Sequence, residues 1–245
     1  MELEFIGCGD AFGSGGRLNT CFHLRGARTN LLVDCGATSM VGLNRSGIDR
    51  NAIDAVVITH FHGDHFAGLP FFVLDAQFYS KRRSPLTVAG PRGIEQRWHQ
   101  TAEACFEGSA AIARRFELHF VEIPERSPTA IAGAEVTAFP VNHGRSGGPF
   151  YAYRIGAEGR VLAYSGDTEW TDSLIEAAKD ADLFVCEAYF RDKKVQLHMD
   201  LATLELHLPA INARRVILTH MGPDMLARRH EITLDTAEDG MIVEF

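Results

Sequence analysis

Three histidines and an aspartate stand directly after an apolar stretch in residues 55–68, AVVITHFHGDHFAG. The polar side chains that follow the apolar run are His60, His62, Asp64 and His65. Residues two apart on a helix point in different directions, whereas a loop after a strand can turn His60 and His62 towards one point. Imidazole and carboxylate together suit Zn²⁺ rather than Mg²⁺ or Ca²⁺. The motif therefore predicts a metal site at the end of a buried strand.

An internal repeat divides the chain into two similar halves. Each half has two apolar segments that end in polar residues, NLLVDCG (30–36) with DAVVITH (54–60) and RVLAYSGD (160–167) with RRVILTH (214–220). Helix-like sequence separates the members of each pair. Because ligands gather at strand ends in layered α/β folds, the repeat predicts two sheets that meet along one edge, with helices outside. We interpret residues 1–245 as one α/β domain.

Hydrophobic periodicity predicts the remaining elements. Further strands are predicted at residues 2–7, 21–25, 86–89, 117–122, 134–140, 150–155, 183–186 and 241–245. Helices are predicted at residues 67–80, 93–106, 173–179 and 201–212. Asp200 is placed to cap the last of these helices.

Three later strand ends offer the ligands that the first cluster lacks. His143 follows the segment ending at residue 140, and Asp167 and His220 each end an apolar run. Each of these residues alone would be an ordinary polar residue, but the first cluster needs partners to complete two sites. Asp167 is then placed to bridge the two metals. The predicted ligand sets are His60, His62 and His143 for one metal, and Asp64, His65 and His220 for the other.

The order of these motifs resembles a known superfamily. ITHFHGDHFAG, VNHG, YSGDT and ILTH follow one another as in the metallo-β-lactamase-fold hydrolases, and the resemblance covers almost the whole chain. VAGPRGIEQ, and VCEAYF followed by QLHMDLATL, are similar to segments of the ribonuclease Z-like and phosphodiesterase branch. The resemblance implies a four-layer αββα sandwich and two bound metals, usually zinc, with manganese or iron as alternatives. It also implies that His198 contacts the scissile phosphate with Glu187 as its partner, the alternative being a structural acid and a surface histidine.

The predicted function is metal-dependent hydrolysis, in the first place of a small phosphodiester, with a metal-bridging hydroxide as nucleophile. Asp64 and Asp167 would fix the metals, and either could accept the proton of that hydroxide. His198 would hydrogen-bond the developing charge or protonate the leaving group. The same site could hydrolyse a thioester, lactone or other ester, which is the second hypothesis. A non-catalytic binding module is the third.

An RNA-processing nuclease is a less favoured alternative. In tRNA-processing members of the branch, a long arm that grips tRNA lies between the counterparts of His143 and Asp167. Here only 23 residues, 144–166, separate the two. The formal net charge of −8 also gives no support for a nucleic-acid-binding face. We therefore expect a small-molecule substrate rather than tRNA.

The composition indicates where in the cell the protein is expected and whether its cysteines are expected to be reduced. No basic segment followed by an apolar core opens the chain, and no apolar run approaches about 18 residues, so we expect a cytoplasmic protein without a membrane partner. The five cysteines include no CxxC pair and are expected to be reduced and mostly buried. The four arginine pairs, among them Arg82–Arg83, are scattered and expected to be solvated.

Three further features carry expectations of their own. The glycine-rich residues 10–20 predict a flexible loop at the site mouth, with Arg17 as a candidate anion contact. Asp34 is interpreted either as a residue that orients a histidine ligand or as a structural acid. Residues 66–78, FAGLPFFVLDAQF, hold more phenylalanine than one helix face needs. They are expected to bury against a second subunit, the favoured interpretation, or to line the substrate entrance.

Overall fold

Fourteen strands and seven α-helices make up the chain in the computed structural model, which describes residues 1–245. The strands are β1 (Glu2–Gly7), β2 (Cys21–Arg25), β3 (Asn30–Val33), β4 (Ala55–Val57), β5 (Leu86–Gly90), β6 (Leu118–Glu122), β7 (Thr129–Ile131), β8 (Ala134–Pro140), β9 (Tyr151–Ala157), β10 (Arg160–Tyr164), β11 (Leu183–Glu187), β12 (Val216–Thr219), β13 (Asp235–Thr236) and β14 (Ile242–Glu244). The helices are α1 (Ser39–Arg45), α2 (Gly63–Phe66), α3 (Leu69–Phe78), α4 (Ile94–Cys105), α5 (Ser173–Ala178), α6 (Leu201–Ile211) and α7 (Pro223–Ala227). None of these helices has the length and apolarity that a bilayer crossing requires.

The strands form two mixed sheets of seven strands each. Their orders are β14-β1-β2-β3-β4-β5-β6 and β13-β12-β11-β10-β9-β8-β7. In the first sheet β3 to β6 run parallel, in the second β10 to β13 do so, and the remaining pairs are antiparallel. The two sheets thus share one plan, and both members of each predicted repeat pair lie in a parallel portion.

Three apolar clusters hold the layers together. The largest, with 26 buried residues, fills the space between the sheets and includes Phe22, Tyr153 and Tyr164. A second cluster packs α3 and α4 on the first sheet through residues such as Trp98, and a third packs α5 and α6 on the second sheet. This arrangement confirms the four-layer αββα sandwich. The sheets pack face to face over this core, so the expectation that they meet along one edge is wrong.

Most predicted elements are present, and the short ones were missed. β7 and β13 have three and two residues, and α2 has four, which is too short for a periodic pattern to show. The helix predicted at 67–80 is α3, and the one predicted at 201–212 is α6. The Asp200 side chain accepts a hydrogen bond from the Thr203 amide at 2.8 Å, which confirms the predicted cap.

Two arginines belong to the scaffold, contrary to expectation. Arg82 is buried, and its guanidinium donates to the carbonyl oxygens of Ser84 and Pro85, so the expectation of a solvated pair is wrong there. Arg17 donates from Nη1 to the carbonyl oxygen of Ala237 at 2.8 Å, which makes it a scaffold contact rather than an anion contact. The cysteines form no disulfide, and only Cys105 is exposed.

Candidate metal centre

Three histidines from two separate loops form the first ligand group. His60 and His62 lie between β4 and α2, and His143 follows β8. One ring nitrogen of each lies within 4.8 Å of the others. Burial lowers the pKa of His60 well below its usual range and that of His143 to about 4. The imidazoles are therefore neutral, as metal ligands must be.

The second group brings together Asp64 and His65 from α2, Asp167 from the loop after β10, and His220 from the loop after β12. Asp167 Oδ1 is 3.2 Å from His65 Nε2, and Asp167 Oδ2 is 3.2 Å from His220 Nε2. The same Oδ2 is 3.6 Å from Nε2 of His143 in the first group. Asp167 thus lies between the two groups, where the sequence predicted a bridging ligand.

Charge pairing dominates the electrostatics of the second group. Burial disfavours a charged His220, but the nearby Asp167 carboxylate and the hydrogen bond to Asp64 raise its pKa to about 9. Burial likewise opposes ionisation of Asp167, yet His220 and His65 hold its pKa well below the usual range. The two carboxylates and the two imidazoles of this group therefore form ion pairs with one another.

Several buried atoms of the centre lack a hydrogen-bond partner. Among them is His60 Nε2, and His65 Nε2 and Asp167 Oδ1 form an ion pair 3.2 Å apart but make no hydrogen bond. A buried polar atom without a hydrogen bond costs roughly 1–3 kcal/mol, so the convergence of these atoms on one place points to a ligand there. Imidazole nitrogen with carboxylate oxygen is the donor set of zinc and related divalent ions. The residues present therefore fit two divalent metals.

Asp34, at the end of β3, holds the first motif in place. Its carboxylate accepts hydrogen bonds from His65 Nδ1 at 2.7 Å and from the Thr59 amide at 2.7 Å. Thr59 Oγ1 donates to the same carboxylate at 2.8 Å. With Nδ1 engaged, His65 presents Nε2 to the centre. Of the two interpretations of Asp34, the structure supports the one in which it orients a histidine.

Two glycines allow the backbone segments of the centre to approach closely. A Cβ on Gly36 would lie 2.1 Å from the carbonyl oxygen of Asp64, so only glycine fits against the start of α2. Gly166 has φ +58° and a Cβ there would lie 2.5 Å from the Tyr151 carbonyl oxygen. Gly166 precedes Asp167 directly, so this left-handed turn sets where Asp167 points.

A histidine–glutamate pair lies beside the two ligand groups. Glu187, fully buried at the end of β11, accepts a hydrogen bond from His198 Nδ1 at 2.9 Å. Its other oxygen accepts the Thr168 amide. Burial opposes protonation of His198, but the hydrogen bond and charge of Glu187 outweigh it and raise the pKa of His198. The His198 ring stands 4.8 Å from that of His143, and its side chain is 24% exposed.

A cavity of about 230 Å³ opens onto this cluster. Its walls include metal-ligand candidates and His198, together with Phe12, Tyr189, Gln196 and Leu197. Phe12 is 84% exposed at the rim, in the glycine-rich loop that the sequence predicted at the mouth. Tyr189 lies over His198 with ring centroids 4.8 Å apart, and no sequence pattern predicted this contact. No residue of 66–78 lines the cavity, so the substrate-entrance interpretation of that segment is wrong.

Comparison with known proteins places this geometry among its relatives. A family model described as "Anti-Pycsar protein Apyc1" matches residues 1–239. A ribonuclease Z of Geobacillus kaustophilus is 29% identical over an alignment that covers 90% of this chain and 88% of the relative. Human tRNase Z, short form, superposes with a TM-score of 0.79 at 23% identity, covering 100% of this chain and 99% of that one. A diphosphatase of the PhnP family superposes with a TM-score of 0.79 at 21% identity, covering 100% and 97%.

These similarities, together with the geometry of the His/Asp cluster, confirm three predictions made from the sequence. The fold is that of the metallo-β-lactamase superfamily, and the resemblance to its ribonuclease Z-like branch is borne out. The protein is an enzyme, a metallo-hydrolase. Its His/Asp cluster is suited to bind metal.

Proposed function

The chain belongs to the family described as anti-Pycsar protein Apyc1, and from this premise we propose that it is a metal-dependent phosphodiesterase acting on small phosphodiesters. One observation carries the proposal. His198, which is held by buried Glu187, faces the same 230 Å³ cavity as members of both ligand groups. A positioned proton donor beside a two-metal site suits phosphodiester cleavage, because an alkoxide leaving oxygen takes up a proton as its bond to phosphorus breaks.

The metals fit the residues described above. We propose two zinc ions, with manganese or iron as substitutes, held by His60, His62, His143, Asp64, His65, Asp167 and His220. When bound, they supply a nucleophile by lowering the pKa of water and neutralise charge on the phosphoryl oxygens. Burial opposes ionisation of Asp64, but the charge of His65 and the hydrogen bond from His220 lower its pKa, so Asp64 is a carboxylate in the cavity wall. Asp64 and Asp167 can each accept a hydrogen bond from the attacking water and so orient it.

His198 acts on the leaving group rather than on the attacking water. Because Nδ1 donates to Glu187, the proton that can reach the substrate is the one on Nε2. The raised pKa of His198 keeps that proton available near neutral pH. His198 then donates it to the leaving oxygen, and buried Glu187 stabilises the protonated ring before and during the transfer. Glu187 thus serves as the partner that the family resemblance implied.

The volume of the cavity and the net charge of the chain support a small substrate. About 230 Å³ is below the usual range for pockets that enclose drug-sized ligands, roughly 300–1,000 Å³. Residues 144–166 form only a short loop, β9, β10 and the start of the loop after β10, with no arm to grip an RNA. The net charge of −8 also disfavours a polyanion. We therefore propose that tRNA is not the substrate.

A substrate panel tests the function. Metal-depleted protein is reloaded with zinc and assayed on bis(p-nitrophenyl) phosphate, 2′,3′- and 3′,5′-cyclic nucleotides, a thioester and a lactone. We expect at least one phosphodiester to have a kcat/KM about a hundredfold or more above those of the thioester and the lactone, and the metal-depleted protein to be inactive. A thioester or lactone as the preferred substrate would favour the second hypothesis. Less than one metal per chain and no turnover would favour the binding module.

An exposed aromatic face and the free cysteines bear on assembly and location. α3 buries Phe72 in the core but leaves Phe71 and Phe78 exposed, next to exposed Tyr79. We propose that this face contacts a second copy of the chain in a homodimer, which light scattering would test against a Phe71→Ser, Phe78→Ser variant. Free buried cysteines support a reducing, cytoplasmic location, to be tested by cell fractionation.

A further inference from the structure

Three consecutive residues after β10 each hold a different part of the centre. Asp167 lies between the two ligand groups, and the Thr168 amide donates to Glu187, the partner of His198. Glu169 makes no hydrogen bond to a candidate ligand or to His198 and has no role in the proposed reaction. Its side chain nonetheless makes two hydrogen bonds to segments that do.

The Glu169 carboxylate joins the His143 loop to the His198 loop. Oε1 accepts a hydrogen bond from the Asn142 side-chain amide, next to His143. Oε2 accepts the backbone amide of Leu197, next to His198, at 3.2 Å. The Glu169 amide also donates to the Asn142 carbonyl oxygen at 3.1 Å. The hydrogen bonds to Asn142 therefore fix Glu169, and its carboxylate in turn holds the Leu197 amide.

Leu197 transmits this contact to a candidate metal ligand. Its backbone has φ +72°, a left-handed conformation that costs a non-glycine residue of order 1–3 kcal/mol and persists only where contacts enforce it. In that conformation its carbonyl oxygen accepts a hydrogen bond from His143 Nδ1 at 2.7 Å. With Nδ1 engaged, His143 can offer only Nε2, the atom 3.1 Å from His62 Nδ1, to the centre.

We propose that Glu169 is a positioning residue that holds Leu197 left-handed, so that the Leu197 carbonyl fixes His143 for metal binding and His198 stands beside it. The side chain acts through Leu197 and touches no reacting atom. The effect on metal binding stands independently, whereas the effect on turnover rests on the proposed phosphodiesterase function.

The proposal distinguishes between two substitutions at position 169. Glu169→Ala removes both acceptors and frees Leu197. Glu169→Gln keeps an acceptor for the Leu197 amide, and Asn142 can turn its side-chain amide to present Oδ1 to the new NH₂ group. The conservative variant should therefore rescue what alanine loses. Glu103→Ala is the matched control, because the Glu103 carboxylate also accepts two backbone amides, from Gly108 and Ala110, far from the centre.

Zinc binding is measured by competition with a chromophoric chelator, using the full chain depleted of metal. We expect Glu169→Ala to weaken one of two zinc sites by about 10- to 100-fold, the usual effect of losing an outer contact to a ligand, and to leave the other within about threefold. Glu169→Gln and Glu103→Ala should bind both ions as the unmodified protein does. At saturating zinc, Glu169→Ala should lower kcat more than it raises KM.

Three results would overturn the proposal. They are unchanged affinity at both sites in Glu169→Ala, equal weakening of both sites, or a Glu169→Gln variant as weak as the alanine variant. Equal weakening together with a lower Tm would show a merely structural contact. If the unmodified protein hydrolysed no phosphodiester, the proposed function would fail, but the zinc titration would still decide the role of Glu169.

Discussion

Replacing His198 with alanine should abolish most turnover while both metals stay bound. The His198 ring lies 4.8 Å from that of His143 and 5.6 Å from that of His220, and its Nδ1 is hydrogen-bonded to Glu187. The two proposed ligand groups nevertheless each hold at least three donors without it. Removing a general acid typically costs a factor of 10²–10⁴, which corresponds to about 2.7–5.4 kcal/mol of transition-state stabilisation. We expect the upper part of this range, because the alanine variant also leaves buried Glu187 without its protonated partner.

The magnitude should depend on the leaving group. An alkoxide needs a proton as it departs, whereas p-nitrophenolate is stable as an anion. Proton donation by His198 therefore predicts a loss near the top of the range for an alkyl phosphodiester and a loss of less than about tenfold for bis(p-nitrophenyl) phosphate. The assay compares kcat for both substrates, with metal content measured on the same samples.

The control for this experiment is His119→Ala. His119 also pairs with a glutamate, Glu117, at 3.1 Å, but lies exposed on β6. Its substitution should change neither kcat nor metal content. An equal loss on both substrates would refute proton donation by His198, and unchanged turnover would refute any catalytic role. Loss of a metal would show that His198 belongs to the ligand set.

Three further predictions follow from the site. His62→Ala should lose bound metal and activity together, because it removes a first-group ligand, and metal analysis of the purified variant checks this. Zinc affinity should rise with pH, because His220, whose pKa is raised to about 9, must give up its proton to bind metal. The expected rise is about tenfold per pH unit between about pH 6.5 and 8.5 for each proton displaced. Calorimetry in two buffers of different ionisation enthalpy would count the protons released. Phe12→Ala should raise KM by about two- to tenfold with little change in kcat, since an exposed rim ring can contact only the outlying part of a substrate, worth about 0.5–1.5 kcal/mol.

Local sequence signals predicted the parts of the centre that lie at strand ends. His60, His62, Asp167 and His220 follow apolar runs, so their positions could be read from the sequence without knowing the fold. The helices around Trp98 and Leu204 showed their periodicity in the same way.

Contacts between distant loops left no comparable signal. Tyr189 reaches the cavity because β11 ends beside it, and Leu197 reaches His143 because its backbone is left-handed. Neither residue type indicates such a role. Arg82 was misjudged for a related reason, since nothing in an arginine pair shows that backbone carbonyls will surround one guanidinium.

The internal repeat is real in its geometry but differs from the pairing that the sequence indicated. The sequence aligns residues 54–60 with residues 214–220, whereas the hydrogen bonds align β4 with β11. The Asp34 amide, just after β3, donates to the Val57 carbonyl oxygen at 2.8 Å. The Ser165 amide, just after β10, donates to the Val185 carbonyl oxygen at 3.1 Å.

At these matched positions, a side chain that follows the earlier strand accepts a backbone amide at the end of the later strand. The two halves differ in which of the two residues is the acid. In the first half the Asp34 carboxylate accepts the Thr59 amide at 2.7 Å, and in the second half Ser165 Oγ accepts the Glu187 amide at 2.9 Å. The buried acid therefore stands on the earlier strand in one half and on the later strand in the other. Asp34 thereby reaches the ligand His65, whereas Glu187 reaches His198. One strand-end arrangement, used twice, thus supports metal binding in the first half and, in the proposed reaction, proton transfer in the second.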